Sequence, residues 1–128
     1  MARILVIDDD AQILSMLRQT LEREGYEVVE ASDGKVGERL FREYPTDLII
    51  TDLIMPEKEG LETIRGIKQD FPETKIIAMS GGGRIGPETY LNFAEKLGAM
   101  YTFTKPIERK NLLSKVRELL EPSESTSS

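Results

Sequence analysis

The feature that most constrains this chain is an alternation, repeated five times, of a short β-favouring run followed by a stretch with helical periodicity. Ile4-Leu5-Val6-Ile7, Leu48-Ile49-Ile50 and Ile76-Ile77-Ala78-Met79 are continuous apolar runs, the pattern of strands in a sheet covered on both faces. Glu27-Val28-Val29-Glu30 is more polar and suits a sheet edge, and Tyr101-Thr102-Phe103-Thr104 is β-favouring with mixed polarity. After each run, apolar residues recur at helical spacing: Ile13, Leu14, Leu17 and Leu21; Val36, Leu40, Phe41 and Tyr44; Leu61, Ile64, Ile67 and Phe71; Leu91, Ala94 and Leu97; Leu112, Leu113, Val116 and Leu120. Gly25, Pro45, Pro72 and Gly98 each close a helical pattern ahead of a strand.

Such alternation requires crossovers of one hand and predicts an α/β fold: an open, doubly wound five-stranded parallel sheet with helices on both faces. A ligand site then belongs at the carboxyl ends of the strands. The 128 residues suit one domain. Beyond Leu120 the chain runs Glu121-Pro122-Ser123-Glu124-Ser125-Thr126-Ser127-Ser128, without an apolar anchor, so the domain is expected over 1–121 with a flexible tail or linker at 122–128.

The chain has no cysteine and no histidine, which excludes disulfides, thiolate or imidazole ligands, an imidazole base and a phosphohistidine on this chain. Chemistry is left to carboxylates, hydroxyls and amines. A net charge of -6 argues against binding nucleic acid through its backbone. The longest apolar runs fall far short of the ~18 residues of a membrane span, and Met1-Ala2-Arg3 opens no signal peptide. A cytoplasmic protein without membrane contact is the expectation.

Asp8 and Asp9 follow the first run, Asp52 ends the third, Ser80 the fourth and Lys105 the fifth, all at one edge of the expected sheet. Singly, an Asp after a strand is a turn former or a helix cap, and Asp10, just ahead of the first helix, is expected to cap it. Together, three converging carboxylates raise one another's pKa unless a cation sits among them, and a hard divalent ion such as Mg²⁺ suits oxygen ligands. Lys105, the Ser80 hydroxyl and nearby backbone N–H groups suit phosphoryl oxygens.

These residues carry a resemblance. With Asp8-Asp9 after Ile-Leu-Val-Ile, Asp52-Leu-Ile-Met55-Pro56 followed by Gly60, Ser80-Gly81, and Lys105-Pro106 after Phe-Thr, the chain resembles a CheY-like response regulator receiver domain of two-component phosphorelay signalling, over residues 3 to about 120. The resemblance implies a flavodoxin-like strand order 2-1-3-4-5 and a phosphoryl-accepting switch that promotes its own phosphorylation and dephosphorylation. It implies Asp52 as phosphoacceptor, Mg²⁺ held by Asp9, Asp52 and the Ile54 backbone carbonyl with Asp8 acting mainly through water, and Ser80, Gly81 and Lys105 on the phosphoryl group. The implied donor is a phosphohistidine on a sensor histidine kinase or histidine phosphotransfer protein, and the output is altered binding of a downstream protein.

The resemblance also implies a switch region of Ser80, Thr102 and Pro106, with a cis Lys105-Pro106 bond; a trans proline opening the last helix is the alternative. The family's usual ring three positions before the lysine is replaced by Thr102. Tyr101 and Phe103 flank it but point to the other face of a strand. Activation is therefore expected to rest on rearranging the glycine-rich segment 81–87 and the helix that follows it.

Three other readings compete, one of them a pure scaffold with a dead receiver fold, against which the acidic pair, the acceptor and the lysine that such domains commonly lose are all present here. Ile-Leu-Val-Ile-Asp8-Asp9-Asp10 contains the Asp-x-Asp of a haloacid-dehalogenase-like phosphohydrolase, with Asp8 as nucleophile and Asp10 as acid. Against it, Gln12 stands where that family carries Thr or Val, and Met55-Pro56 goes unexplained. Gly81-Gly82-Gly83-Arg84-Ile85-Gly86 matches a dinucleotide-binding fingerprint, but after the fourth strand instead of the first, and the next strand ends in Lys105 where an acidic residue is needed.

Overall fold

The computed structural model describes residues 2–53, 60–81 and 87–121, with backbone alone over 87–90. Ile54, Met55-Pro56, the glycine-rich 82–86 and the tail 122–128 lie outside the described residues. The elements alternate as β1 (Arg3–Ile7), α1 (Ala11–Arg23), β2 (Glu27–Ala31), α2 (Gly34–Glu43), β3 (Leu48–Asp52), α3 (Gly60–Asp70), β4 (Lys75–Ser80), α4 (Pro87–Leu97), β5 (Tyr101–Thr104) and α5 (Arg109–Leu120). The strands form one sheet in the order β2-β1-β3-β4-β5, every pair parallel. β2 is an edge strand, as its polarity requires.

Continuous apolar runs become central strands because both of their faces are covered. In β1 no residue alternates out to solvent: Ile4, Leu5, Val6 and Ile7 are all fully buried, as are Leu48 and Ile50 of β3 and Ile76 to Met79 of β4. The odd-numbered β1 residues Leu5 and Ile7 join Phe41 of α2, Ile64 and Ile67 of α3, and Leu91 and Ala94 of α4 in one core. The even-numbered Ile4 and Val6 join Leu14, Leu17 and Leu21 of α1 with Leu112 and Val116 of α5 in the other. Each large aliphatic chain so buried stabilises the fold by roughly 1.5–3 kcal/mol before entropy is counted.

Helix ends follow local chemistry. Asp10 caps α1 by accepting a hydrogen bond from Gln12 N at 2.8 Å, and Asp33 caps α2 by accepting from Val36 N at 2.8 Å. Two helices hand over to strands through glycines at positive φ, Gly25 at 93° and Gly98 at 118°. The two glycines differ in surroundings. A Cβ on Gly25 would meet nothing within 4 Å, whereas one on Gly98 would lie 2.5 Å from Lys68 Cε. Lys68 passes there to donate to the Pro72 and Thr74 carbonyls, each at 2.9 Å, securing the turn into β4.

Gly25→Ala should therefore cost only backbone strain, roughly 1–2 kcal/mol. Gly98→Ala should cost more, since it also displaces Lys68 from two carbonyls. Urea unfolding of both variants checks the ranking; equal midpoints would show that the Lys68 stem yields freely.

Candidate functional site

The alternation of strand side chains explains how three charged groups meet. Asp8 continues the parity of Ile4 and Val6, Asp52 that of Leu48 and Ile50, and Lys105 that of Tyr101 and Phe103, all directed to the face covered by α1 and α5. β1 and β3 are neighbours, so their terminal carboxylates converge, and Lys105 reaches them from beyond β4. Its ammonium stands 2.8 Å from Asp8 Oδ2 and 3.2 Å from Asp52 Oδ1. Asp8 Oδ1 also accepts a hydrogen bond from Asp10 N at 2.9 Å.

Asp8 is fully buried and Asp52 only 5 % exposed, whereas Asp9 is exposed. One oxygen from each of the three carboxylates lies within 4.8 Å of the others. Burial, reinforced by the Asp8 charge, pushes the Asp52 carboxyl from its ordinary 3.8 up to about 6, against the opposing pull of Lys105. Burial likewise raises Asp8, despite the Lys105 hydrogen bond. Burial alone would lower Lys105, but its bonds and charge contacts with Asp8 and Asp52 prevail and raise it. One ammonium thus leaves two buried acids and a third nearby undercompensated, a donor set that fits a hard divalent cation.

Ser80 ends β4 next to this corner, in alternation with Ile76 and Ala78 on the opposite face. Its Oγ is buried without a hydrogen-bond partner among the described residues, a donor and acceptor held ready where most such groups are satisfied. Gly81 follows, and a Cβ there would lie 2.7 Å from Lys105 Cβ and 3.0 Å from its Cδ, so the lysine stem runs over the glycine. The Lys105–Pro106 peptide is cis, and α5 begins only at Arg109. Thr102 is half-buried, while Tyr101 and Phe103 pack with the α1 and α5 core. The Ile54 carbonyl lies outside the described residues.

Two further residues hold the Asp52 backbone. The buried Thr51 hydroxyl donates to the Asp52 carbonyl at 2.9 Å. Gly60 opens α3 with its N–H donated to Leu53 O at 3.0 Å, and a Cβ on it would run into the Asp52 carbonyl and lie 2.8 Å from Leu53 Cα. The motif includes Gly60, but nothing in the sequence alone says that its hydrogen atom faces the Asp52 peptide. Asp10, the acid of the phosphohydrolase reading, is exposed and engaged as the α1 cap.

The raised Asp52 pKa has a sign for stability. The folded state holds that proton more tightly than the unfolded chain, so this contribution is full below pH 3.8 and is lost as pH rises towards about 6. In metal-free buffer Asp52→Asn should then be more stable than the parent at neutral pH, by on the order of 2–3 kcal/mol, with the gap closing below pH 4. Urea midpoints from pH 3.5 to 8 test it; a gap that does not depend on pH would refute the buried-charge account.

Comparison with known proteins agrees with this fold. The family model described as response regulator receiver domain matches residues 4–117. The transcriptional regulatory protein CpxR of Escherichia coli (strain K12) is 31 % identical over 123 residues, 96 % of this chain and 51 % of CpxR. The DNA-binding transcriptional regulator NtrC of Azospirillum brasilense is 39 % identical over 119 residues, 93 % of this chain and 24 % of that protein. The chain therefore spans about half or less of the length of these curated relatives. Among solved structures, a CheY-like receiver domain protein from Methanospirillum hungatei JF-1 superposes with a TM-score of 0.87 at 31 % identity, covering 94 % of each chain. A receiver domain protein from Clostridium thermocellum gives 0.85 at 33 % identity, covering 94 % of this chain and 95 % of that one. The chain belongs to the response regulator receiver domain family.

Proposed function

We propose that residues 1–121 work as a signalling switch in which Asp52 takes a phosphoryl group from a phosphohistidine on a sensor histidine kinase or a histidine phosphotransfer protein. The observation that carries this reading is one corner where two buried carboxylates and the exposed Asp9 each bring an oxygen within 4.8 Å of the others, with an ammonium between the buried two and, at the adjacent strand end, a Ser80 hydroxyl without a partner among the described residues. In the transfer, an Asp52 carboxylate oxygen forms a bond to phosphorus as the phosphorus–nitrogen bond of the donor breaks. The electron pair leaves on the imidazole nitrogen, which takes up a proton. The product is an acyl phosphate.

Lys105 lies where it can neutralise charge on both the nucleophile and a phosphoryl oxygen, and Ser80 Oγ offers a donor to another. Gly81, with no side chain, leaves the lysine stem and its own N–H room beside the group. Asp9, Asp52 and the Ile54 carbonyl would hold Mg²⁺ directly, and Asp8 through water. When bound, Mg²⁺ supplies charge neutralisation of the acids and the incoming phosphoryl oxygens. Thr102, in place of a ring, favours a switch that works through the 81–87 segment and the helix after it, with Ser80 and Pro106 in the same switch region.

The chain has no histidine to donate from, and its net charge of -6 suits protein partners better than nucleic acid. Among the described residues no helix is long and apolar enough to cross a membrane, and a cytoplasmic setting fits the proposed kinase partner. The modified switch alters the binding of a downstream protein.

Acetyl phosphate with Mg²⁺ should add one phosphoryl group by intact mass, and Asp52→Asn should add none; an adduct that survives that substitution would move the acceptor elsewhere. Asp9→Asn should weaken Mg²⁺ by about tenfold or more, some 1.4 kcal/mol, with little effect on unfolding because Asp9 is exposed. A calorimetric Mg²⁺ titration that leaves the affinity unchanged would count against the proposed ligand set.

A further inference from the structure

α5 follows Lys105 and Pro106 at the pole of the acidic corner, and its last turn lies at the opposite pole, where strands begin. That turn is tied by four side-chain contacts to the α1–β2 connection, β4 and β5. Tyr26, just ahead of β2, donates its hydroxyl to the Glu121 carboxylate. Lys75, which opens β4, donates Nζ to the Leu119 carbonyl at 2.6 Å. Arg117 pairs at 2.7 Å with Glu24, the C-cap residue of α1. Tyr101, which opens β5, donates its hydroxyl to Glu118 at 2.6 Å.

The ties are unevenly spread along the helix. α5 fully buries Leu112 and Val116 and packs Leu113, Leu119 and Leu120 partly against the same core, while these cross-element bonds crowd its C-terminal turn. Tyr26 is 6 % exposed and the Lys75 bond is part-buried, so water competes weakly for these donors. Free last-turn carbonyls fray in an ordinary helix; here a lysine from the sheet holds one of them.

We propose that the last turn of α5 is a clasped anchor, so that movement at the acidic corner reaches this helix as a tilt about its C-terminal end while residue 121 keeps its place. Twelve residues at 1.5 Å rise make a lever of about 18 Å, and a shift of about 1 Å at its first turn is a tilt of about 3°. The tilt rests on the phosphorylation proposed above; the clasp does not.

Amide hydrogen exchange tests both parts. In the unmodified protein, Tyr26→Phe combined with Lys75→Met should speed exchange at residues 118–121 at least tenfold, and Arg117→Gln alone severalfold, with β1 and β3 amides within twofold of the parent. Unchanged rates at 118–121 in both variants overturn the clasp, and so does an acceleration spread evenly into β1 and β3, which would be general destabilisation. In the parent treated with acetyl phosphate and Mg²⁺, with the adduct verified by mass, protection should change at 112–115, the first hydrogen-bonded amides of α5, and stay within twofold at 118–121. A change of equal size at both ends overturns the tilt. Absence of the adduct overturns the phosphorylation reading and the tilt with it, and the clasp is then decided by the variants alone.

Discussion

The ammonium of Lys105, shared between Asp8 and Asp52, is the contact on which the carboxyl end of the sheet is organised. Burying two carboxylates is costly, and the cost is offset only when a counter-charge and hydrogen bonds are already in position. Lysine brings a compact charge on a flexible stem, which here is shared between two acids arriving from different strands. The bridge is incomplete: it leaves Asp52 raised to about 6 and leaves room in charge for a cation. The fold depends on this corner being tolerable, and the proposed chemistry depends on its being unsatisfied.

Several backbone choices serve that contact. β4 lies between β3 and β5 in the sheet, so Lys105 has to cross the end of β4 to reach Asp52, and it crosses over Gly81. Gly60 brings α3 against the Asp52 peptide, and the Thr51 hydroxyl holds the carbonyl of that peptide. Ser80 is the exception among buried hydroxyls here, with no partner among the described residues.

The alternation of runs and periodic stretches is enough to read five strands and five helices, because burial on two faces and burial on one stripe leave different spacings in the chain. The positions of Asp8, Asp52, Ser80 and Lys105 at strand ends are legible for the same reason. Strand order is not legible from spacing, which says which face a residue takes but not which strand lies beside it; the order comes from the resemblance. The contacts of Gly60 and of the α5 clasp escape for a related reason. Tyr26 and Glu121 are 95 positions apart, and Lys75 and Leu119 are 44 apart, and nothing local in either partner records the other.

Parity along the strands has a consequence for how such a chain can change through descent. Lengthening a connection ahead of a strand leaves the direction of its last side chain untouched, so parity alone does not fix the length of that connection. Gaining or losing one residue inside β3 or β5 turns Asp52 or Lys105 to the opposite face of the sheet and dismantles the corner in a single event. Strand length is therefore held fixed by charge placement as well as by the core.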